Sequence, residues 1–250
     1  MDEEMEIIVD FYKDLDRLGP GSDDQTKKAL SFVKFATDNP KIADIGCGTG
    51  TQTETLSREI KAEIVAVDFL DEFLKSLQHR FDRIKLPVKT ICADMAILPF
   101  SEQEFDLIWS EGAVYNIGFG SGTRYWNRFL KMNGFLAVTE ISWLMDNRPT
   151  DLETYWKNAY PEIDTIANKV QQLENNGYKV VEHFTLPNTC WIDNYYKPIQ
   201  EKFDEFLKQW NYSESAQKFI EENKTEIDLY EKYHQFYGYE FYIAKKVKTI

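Results

Sequence analysis

The sequence predicts an α/β protein built on a parallel sheet, and three observations carry that prediction. From Lys41 to Thr139, short runs rich in Val, Ile and Phe alternate with stretches whose apolar residues recur at helical spacing, the pattern of strands joined by crossover helices. Glycine and proline number 12 and 8 in 250 residues, too few for the tight turns of an all-β sandwich. The first strand runs into Asp44-Ile45-Gly46-Cys47-Gly48-Thr49-Gly50 and then a helix, which puts a glycine turn at the carboxyl end of a strand, where open α/β sheets hold ligands. Hydrophobic residues at 43% and charged residues at 28% are ordinary for a folded chain and argue against disorder, collagen-like structure and coiled coil.

Ile7, Phe11, Leu15 and Leu18 share one helical face, which predicts an amino-terminal helix over 2–18 that Gly19-Pro20-Gly21 stops. Ser22 with Gln25 three positions on matches a capping box and starts a second helix toward Phe35. Strands are expected at 42–45, 63–67, 89–93, 105–109 and 135–139, with amphipathic helices between them and right-handed crossovers covering both faces of the sheet. Helical stretches over 151–176 then reach a break at Gly177-Tyr178, followed by a strand over 179–186 that carries Val180, Val181 and Phe184. About fifty residues separate it from the β-branched and aromatic run 239–247, more than a connecting loop requires, so 187–238 reads as a helical insertion before the last strand. With no internal repeat or low-complexity tract, residues 1–250 read as a single domain with embellishments.

Acidic residues outnumber basic ones 42 to 29, a net charge of −13, and no Lys/Arg run has the density to neutralise a phosphate backbone, so nucleic acid is not expected as a partner. The amino terminus, Met1-Asp2-Glu3-Glu4, is acidic where a secretory signal would be basic, and no apolar run reaches the ~18 residues that span a bilayer. A cytoplasmic protein without membrane contact, monomer or homodimer, is the expectation. Cys47, Cys92 and Cys190 form no C-x-x-C pair, and His79, His183 and His234 are scattered, so neither a disulfide framework nor a metal site is indicated.

A dinucleotide fingerprint would need glycines at 46, 48 and 51, but residue 51 is threonine and the third glycine is Gly50, which counts against NAD or FAD. The D-x-G-x-G-x-G pattern instead resembles motif I of the class I S-adenosylmethionine-dependent methyltransferases. The resemblance spans 40–142, a cofactor-binding core, and implies a Rossmann-like, seven-stranded, mostly parallel sheet in the order 3-2-1-4-5-7-6. Asp68 falls 18 residues after Gly50 at the end of the next strand, where a carboxylate accepts from both ribose hydroxyls, with Phe69 beside it. Asp94 follows the third strand, where the family places a carboxylate on the adenine amino group, and Met95 is the apolar neighbour of the ring. Asp106 to Gly112 resembles the fourth strand and its functional end, and Leu130 to Leu136 the turn into strand five. The resemblance therefore implies S-adenosyl-L-methionine as cofactor, with Asp44, Gly46, Cys47, Gly48, Gly50, Asp68, Phe69, Asp94, Met95, Ser110 and Glu111 around it. Tyr12 and Arg17 join them from an amino-terminal lid, residues 1–38, with Arg17 toward the methionine carboxylate.

Tyr12, the Leu18-to-Ser22 break, Trp109 to Ala113, Cys190-Trp191 and Tyr195-Tyr196 are similar to those of bacterial small-molecule methyltransferases related to the quinone-biosynthesis and sugar enzymes. A small-molecule acceptor is then expected against Tyr12, Tyr115, Trp191, Tyr195 and Tyr196, with 187–238 building the pocket. Of 37 aromatic residues, 21 lie in 143–250, outside the cofactor core, where they suit either an acceptor cavity or a plain helical core. A sulfonium methyl is already activated, so holding the acceptor in line is the main task, and such positioning is worth ~7–11 kcal/mol. Where a base is needed, Glu111 ranks first and Tyr115 next, while His183 and His234 read as structural. A macromolecule methyltransferase is the second reading, disfavoured by the charge and by Ser110-Glu111-Gly112-Ala113 where an N-P-P-Y-type tetrapeptide would stand. A cofactor-binding regulatory protein without transfer activity is the third, and the residues alone do not separate enzyme from sensor.

Overall fold

In the computed structural model, which describes residues 2–250, one sheet organises the chain. Its strands are β1 (Lys41–Ile45), β2 (Glu63–Asp68), β3 (Lys89–Cys92), β4 (Phe105–Ser110), β5 (Leu130–Trp143), β6 (Asp164–Thr165), β7 (Tyr178–Thr185) and β8 (Tyr237–Lys246). They lie in the order β3-β2-β1-β4-β5-β8-β7, with β6 beside the end of β5. The first five are mutually parallel; β8 runs antiparallel between β5 and β7. This is the expected 3-2-1-4-5-7-6 order, with β7 and β8 as its last two strands. The two-residue β6 adds an eighth strand that the sequence did not announce.

Helices α1 (Glu3–Tyr12), α2 (Asp23–Ser31), α3 (Thr51–Glu59), α4 (Asp71–Ile84) and α5 (Phe119–Asn127) accompany the first half of the chain. The second half carries α6 (Thr150–Ala159), α7 (Ile166–Asn175), α8 (Asn188–Trp191), α9 (Lys197–Gln209) and α10 (Glu214–Tyr233), with a π-helical turn over Ile192–Tyr196. Alternation along the strands divides the core into two faces. Ile42, Leu107 and Trp109 pack with α1 and the helices of 187–238, whereas Ala43, Ile45 and Ile108 pack with Phe119, Trp126 and Leu173 on the other side.

Three elements differ from the sequence reading for identifiable reasons. The first helix stops at Tyr12 rather than near residue 18, because the following carbonyls serve another partner: the Thr49 hydroxyl donates to the Leu15 carbonyl at 2.8 Å, and the Thr51 hydroxyl donates to that of Asp16. The helical stretch 151–176 is two helices, since Pro161 has no N–H to continue α6 and β6 intervenes. Strand β5 begins at Leu130 and reaches Trp143, well beyond 135–139, because β8 pairs with it from Phe135 to Trp143. By contrast, α2 starts as read: the Ser22 Oγ accepts from the Gln25 N–H at 3.2 Å.

Candidate functional site

The strand ends β1, β2, β3 and β4 meet at one rim, and the glycine turn after β1 is its floor. Gly46 has a φ of +73°, and a Cβ there would stand 2.3 Å from the Ala113 Cβ, so both conformation and space require glycine. The Gly46 and Cys47 N–H groups donate to the Val67 carbonyl at 2.8 and 3.0 Å, fastening the turn to β2. Gly48, at φ +54°, offers bare backbone: a Cβ would lie 2.8 Å from the Leu18 Cδ1 above it. Its N–H donates to Asp68 Oδ2 at 2.9 Å, and the Leu70 N–H donates to Oδ1 at 3.0 Å. Burial pushes the Asp68 carboxyl above its usual value, while these backbone donors pull the other way.

At the end of β3, Asp94 Oδ1 accepts from the Ala96 N–H at 2.8 Å, which fixes the carboxylate in a tight turn beside Met95. Phe69, after β2, is 62% exposed, a large ring standing at the rim without a cover. At the end of β4, Glu111 is held on both oxygens. Its Oε1 accepts from the Thr26 hydroxyl at 2.7 Å and from Trp109 Nε1 at 2.9 Å, and its Oε2 faces Arg17 Nη1 at 3.4 Å. Arg17 in turn bridges to Asp23 at 2.8 Å, so α2 and the segment before it are clamped onto β4.

That segment, between α1 and α2, closes the rim from above. Arg80 of α4 pairs with Asp16 at 2.6 Å and donates to the Thr49 carbonyl at 3.2 Å, securing the same stretch from the other side. Asn194 donates to the Gly21 carbonyl at 2.8 Å, and the Tyr12 and Tyr195 hydroxyls meet at 3.1 Å, joining it to residues 187–238.

The cavity beneath this segment measures about 740 Å³, within the ~300–1,000 Å³ of small-molecule sites. The glycine turn contributes Gly46, Cys47 and Gly48; β2 contributes Asp68 with Phe69; the β3 loop contributes Asp94 and Met95. Glu111, Tyr115, Tyr12, Arg17 and Tyr195 complete the part of the wall that the sequence anticipated. A nucleoside cofactor suits this rim: it has a cradle that a Cβ would fill and a carboxylate at the end of each of two successive strands.

Five expected residues stand elsewhere. Asp44 lies beneath the turn, where Oδ2 accepts from the Thr53 hydroxyl at 2.6 Å and Oδ1 has no partner; burial pushes its carboxyl up to about 7. Gly50 packs on Leu77 at the start of α3, and Ser110 is buried in β4. Trp191 and Tyr196, expected against the acceptor, are core residues: the Trp191 ring stacks on Tyr230 at 4.3 Å, and Tyr239 lies between it and Gly112. They are buried because α8 and the π-helical turn pack inward on α10, leaving only Tyr195 of the group toward the cavity. His183 bonds Glu240 at 2.6 Å on the edge strand and His234 ends α10, both away from the rim.

Residues 42–134 match the methyltransferase domain model. Over that segment the chain is similar to methyltransferase domains, as the resemblance in the sequence implied. A demethylmenaquinone methyltransferase of Corynebacterium urealyticum is 32% identical over 130 residues, 51% of this chain and 54% of that protein, so the chain spans about half the length of that relative. A phosphoethanolamine N-methyltransferase of Plasmodium falciparum is 23% identical over 220 residues, covering 85% of this chain and 80% of its own. Among solved structures, a methyltransferase of Geobacter sulfurreducens in complex with S-adenosylhomocysteine superposes with a TM-score of 0.81 at 16% identity, covering 98% of both chains. At that identity the likeness establishes the fold.

Within this methyltransferase fold the cavity also has walls that the sequence reading passed over: Leu18, Thr49, Gln52, Asn116, Phe219 and Glu226. Glu226 had a signal. Phe219, Asn223, Glu226 and Tyr230 recur at 4-, 3- and 4-residue spacing, one face of α10, so a carboxylate sits in a stripe that otherwise turns inward.

Proposed function

We propose that the chain binds S-adenosyl-L-methionine across the ends of β1 to β4 and transfers its methyl group to a small-molecule acceptor held under the amino-terminal segment. When bound, the cofactor supplies a methyl group already activated on sulfonium sulfur. Asp68 accepts from the ribose hydroxyls, Asp94 from the adenine amino group, and Phe69 and Met95 cover the ring. The Gly48 backbone gives close approach, and Arg17 and Glu111 hold the segment of residues 13–31 shut so that water is kept out. Residues 1–38 serve as the lid, and the acceptor compartment draws Tyr12 from the lid and Tyr195 from 187–238.

One observation carries the reading: a single cavity extends from Gly48 and Asp68 to Tyr12, Tyr115 and Tyr195, so cofactor and acceptor compartments open into each other. The names of the Corynebacterium and Plasmodium relatives, a quinone and a phosphoamine methyltransferase, support a small acceptor. Glu111 is fully engaged as a clamp, which leaves Tyr115, 44% exposed toward the cavity, as the catalytic candidate that an acceptor can meet. Incubating the protein with methyl-labelled cofactor and a metabolite extract, then searching by mass spectrometry for a gain of one methylene mass, tests this. A labelled product with accumulating S-adenosylhomocysteine is expected. Binding of cofactor with no labelled metabolite would favour the regulatory reading instead.

A further inference from the structure

The acceptor end of the cavity has a chemistry of its own. Glu226 reaches it from α10, more than a hundred residues beyond the cofactor motifs. Its Oε1 accepts from the Tyr196 hydroxyl at 3.0 Å, which fixes the carboxylate from behind. Oε2 has no hydrogen-bond partner, and no cation pairs with Glu226 among the described residues. Around it stand Tyr12, Tyr115, Tyr195 and Phe219. The Tyr12 and Tyr195 hydroxyls, raised first by burial and further by the charge of Glu226, stay neutral and present ring faces and O–H groups.

The ionisable groups of the cavity wall are mostly acidic. Asp16, Asp68, Asp94, Glu111 and Glu226 contribute carboxylates, against Arg17 as the one Lys or Arg of the lining among the described residues, and Arg17 is already bonded to Asp23 and Glu111. An anionic acceptor would therefore meet repulsion with no free cation to offset it. Burial pushes the Glu226 carboxyl above its ordinary range, so its ionised form is costly until an opposite charge arrives. Aromatic faces around one carboxylate are the arrangement that recognises ammonium groups.

We propose that the acceptor is a small amine that is cationic at neutral pH, its ammonium group seated against Oε2 of Glu226 within the Tyr12, Tyr115 and Tyr195 enclosure. The inference rests on the reading of this cavity as a cofactor-and-acceptor site, and deepens it by naming the acceptor class. Tyr196 acts through Glu226 as a positioning residue, which gives the buried hydroxyl a role that its burial in the core does not by itself explain.

Calorimetric titration of the full chain with two matched pairs of probes tests it: benzylamine against benzyl alcohol, and propylamine against propanol, with and without saturating S-adenosylhomocysteine. In at least one pair the amine is expected to bind about tenfold or more tightly than its alcohol, and Glu226→Gln should erase that preference while leaving S-adenosylhomocysteine affinity unchanged. Glu226→Asp, which keeps the charge, should retain part of the preference and guards against a merely structural loss. Amines that never exceed their alcohols in the native chain, or a preference that survives Glu226→Gln, would overturn the proposal. Failure of S-adenosylhomocysteine to bind is a separate readout and would count against the cofactor reading, not against the role of Glu226.

Discussion

The Gly48 N–H donates to Asp68 Oδ2 across 2.9 Å, so the glycine turn and the carboxylate proposed for the cofactor ribose are tied together before any ligand arrives. Neither residue is simply a contact: each orients the other. Replacing Asp68 with Ala removes the carboxylate from the ribose and the anchor from the loop. With two charge-assisted hydrogen bonds at ~1.5–3 kcal/mol each, S-adenosylhomocysteine affinity should fall at least ~100-fold, measured by calorimetry. Asp68→Asn, which keeps an acceptor for Gly48 but loses the charge, should fall between the two.

The clamp of Arg17 and Thr26 on Glu111 predicts a dynamic rather than a chemical phenotype. Arg17→Ala and Thr26→Val each leave the Glu111 carboxylate short of a donor, at a cost of ~1–3 kcal/mol. Hydrogen exchange should accelerate over residues 13–31 in both variants, with release of S-adenosylhomocysteine faster than in the native chain. Unchanged protection of that stretch would mean that the segment is held by other contacts.

Lys169 and Glu140 form a buried pair at 2.8 Å, and the Tyr160 hydroxyl donates to the same Glu140 oxygen at 2.7 Å. Lys169→Ala strands the carboxylate in the core and should destabilise the protein by ~3–5 kcal/mol, read by chemical denaturation. Lys169→Met combined with Glu140→Gln should recover much of that loss, since no uncompensated charge remains.

Asp44 sets a pH dependence. Its folded carboxyl is pushed up to about 7 from an ordinary 3.8, chiefly by burial, so the folded chain holds a proton that the unfolded chain releases. This group therefore lowers stability as pH rises from about 4 to about 7, by no more than ~4 kcal/mol at the upper end. Asp44→Asn should flatten the stability profile across that window, measured by denaturation at a series of pH values. An identical slope in the variant would show that Asp44 is ionised throughout.

What the sequence disclosed and what it concealed divide along sequence distance. Gly46, Gly48 and Asp68 were legible because a tight turn and the following strand end impose residue types at fixed local spacing. The early end of α1 was not legible, since it depends on hydroxyls of Thr49 and Thr51 that only tertiary packing brings to the Leu15 and Asp16 carbonyls. Trp191 and Tyr196 misled for another reason: aromatic rings serve a core and a cavity wall equally well, and only the inward packing of α8 on α10 decides between them. Glu226 is the reverse case: its spacing with Phe219 and Tyr230 marks an inward stripe of α10, but only the packing of α10 beside Tyr12 and Tyr195 shows what the carboxylate faces.

Isothermal titration of S-adenosylhomocysteine into the native chain and into Gly48→Val tests the central claim most directly. A valine at φ +54° is strained, and its Cβ would fall 2.8 Å from Leu18, so the cradle closes while the sheet beneath it stands. One-site binding by the native chain and none by the variant is the predicted result. No binding by the native chain, or equal binding by both proteins, would contradict it.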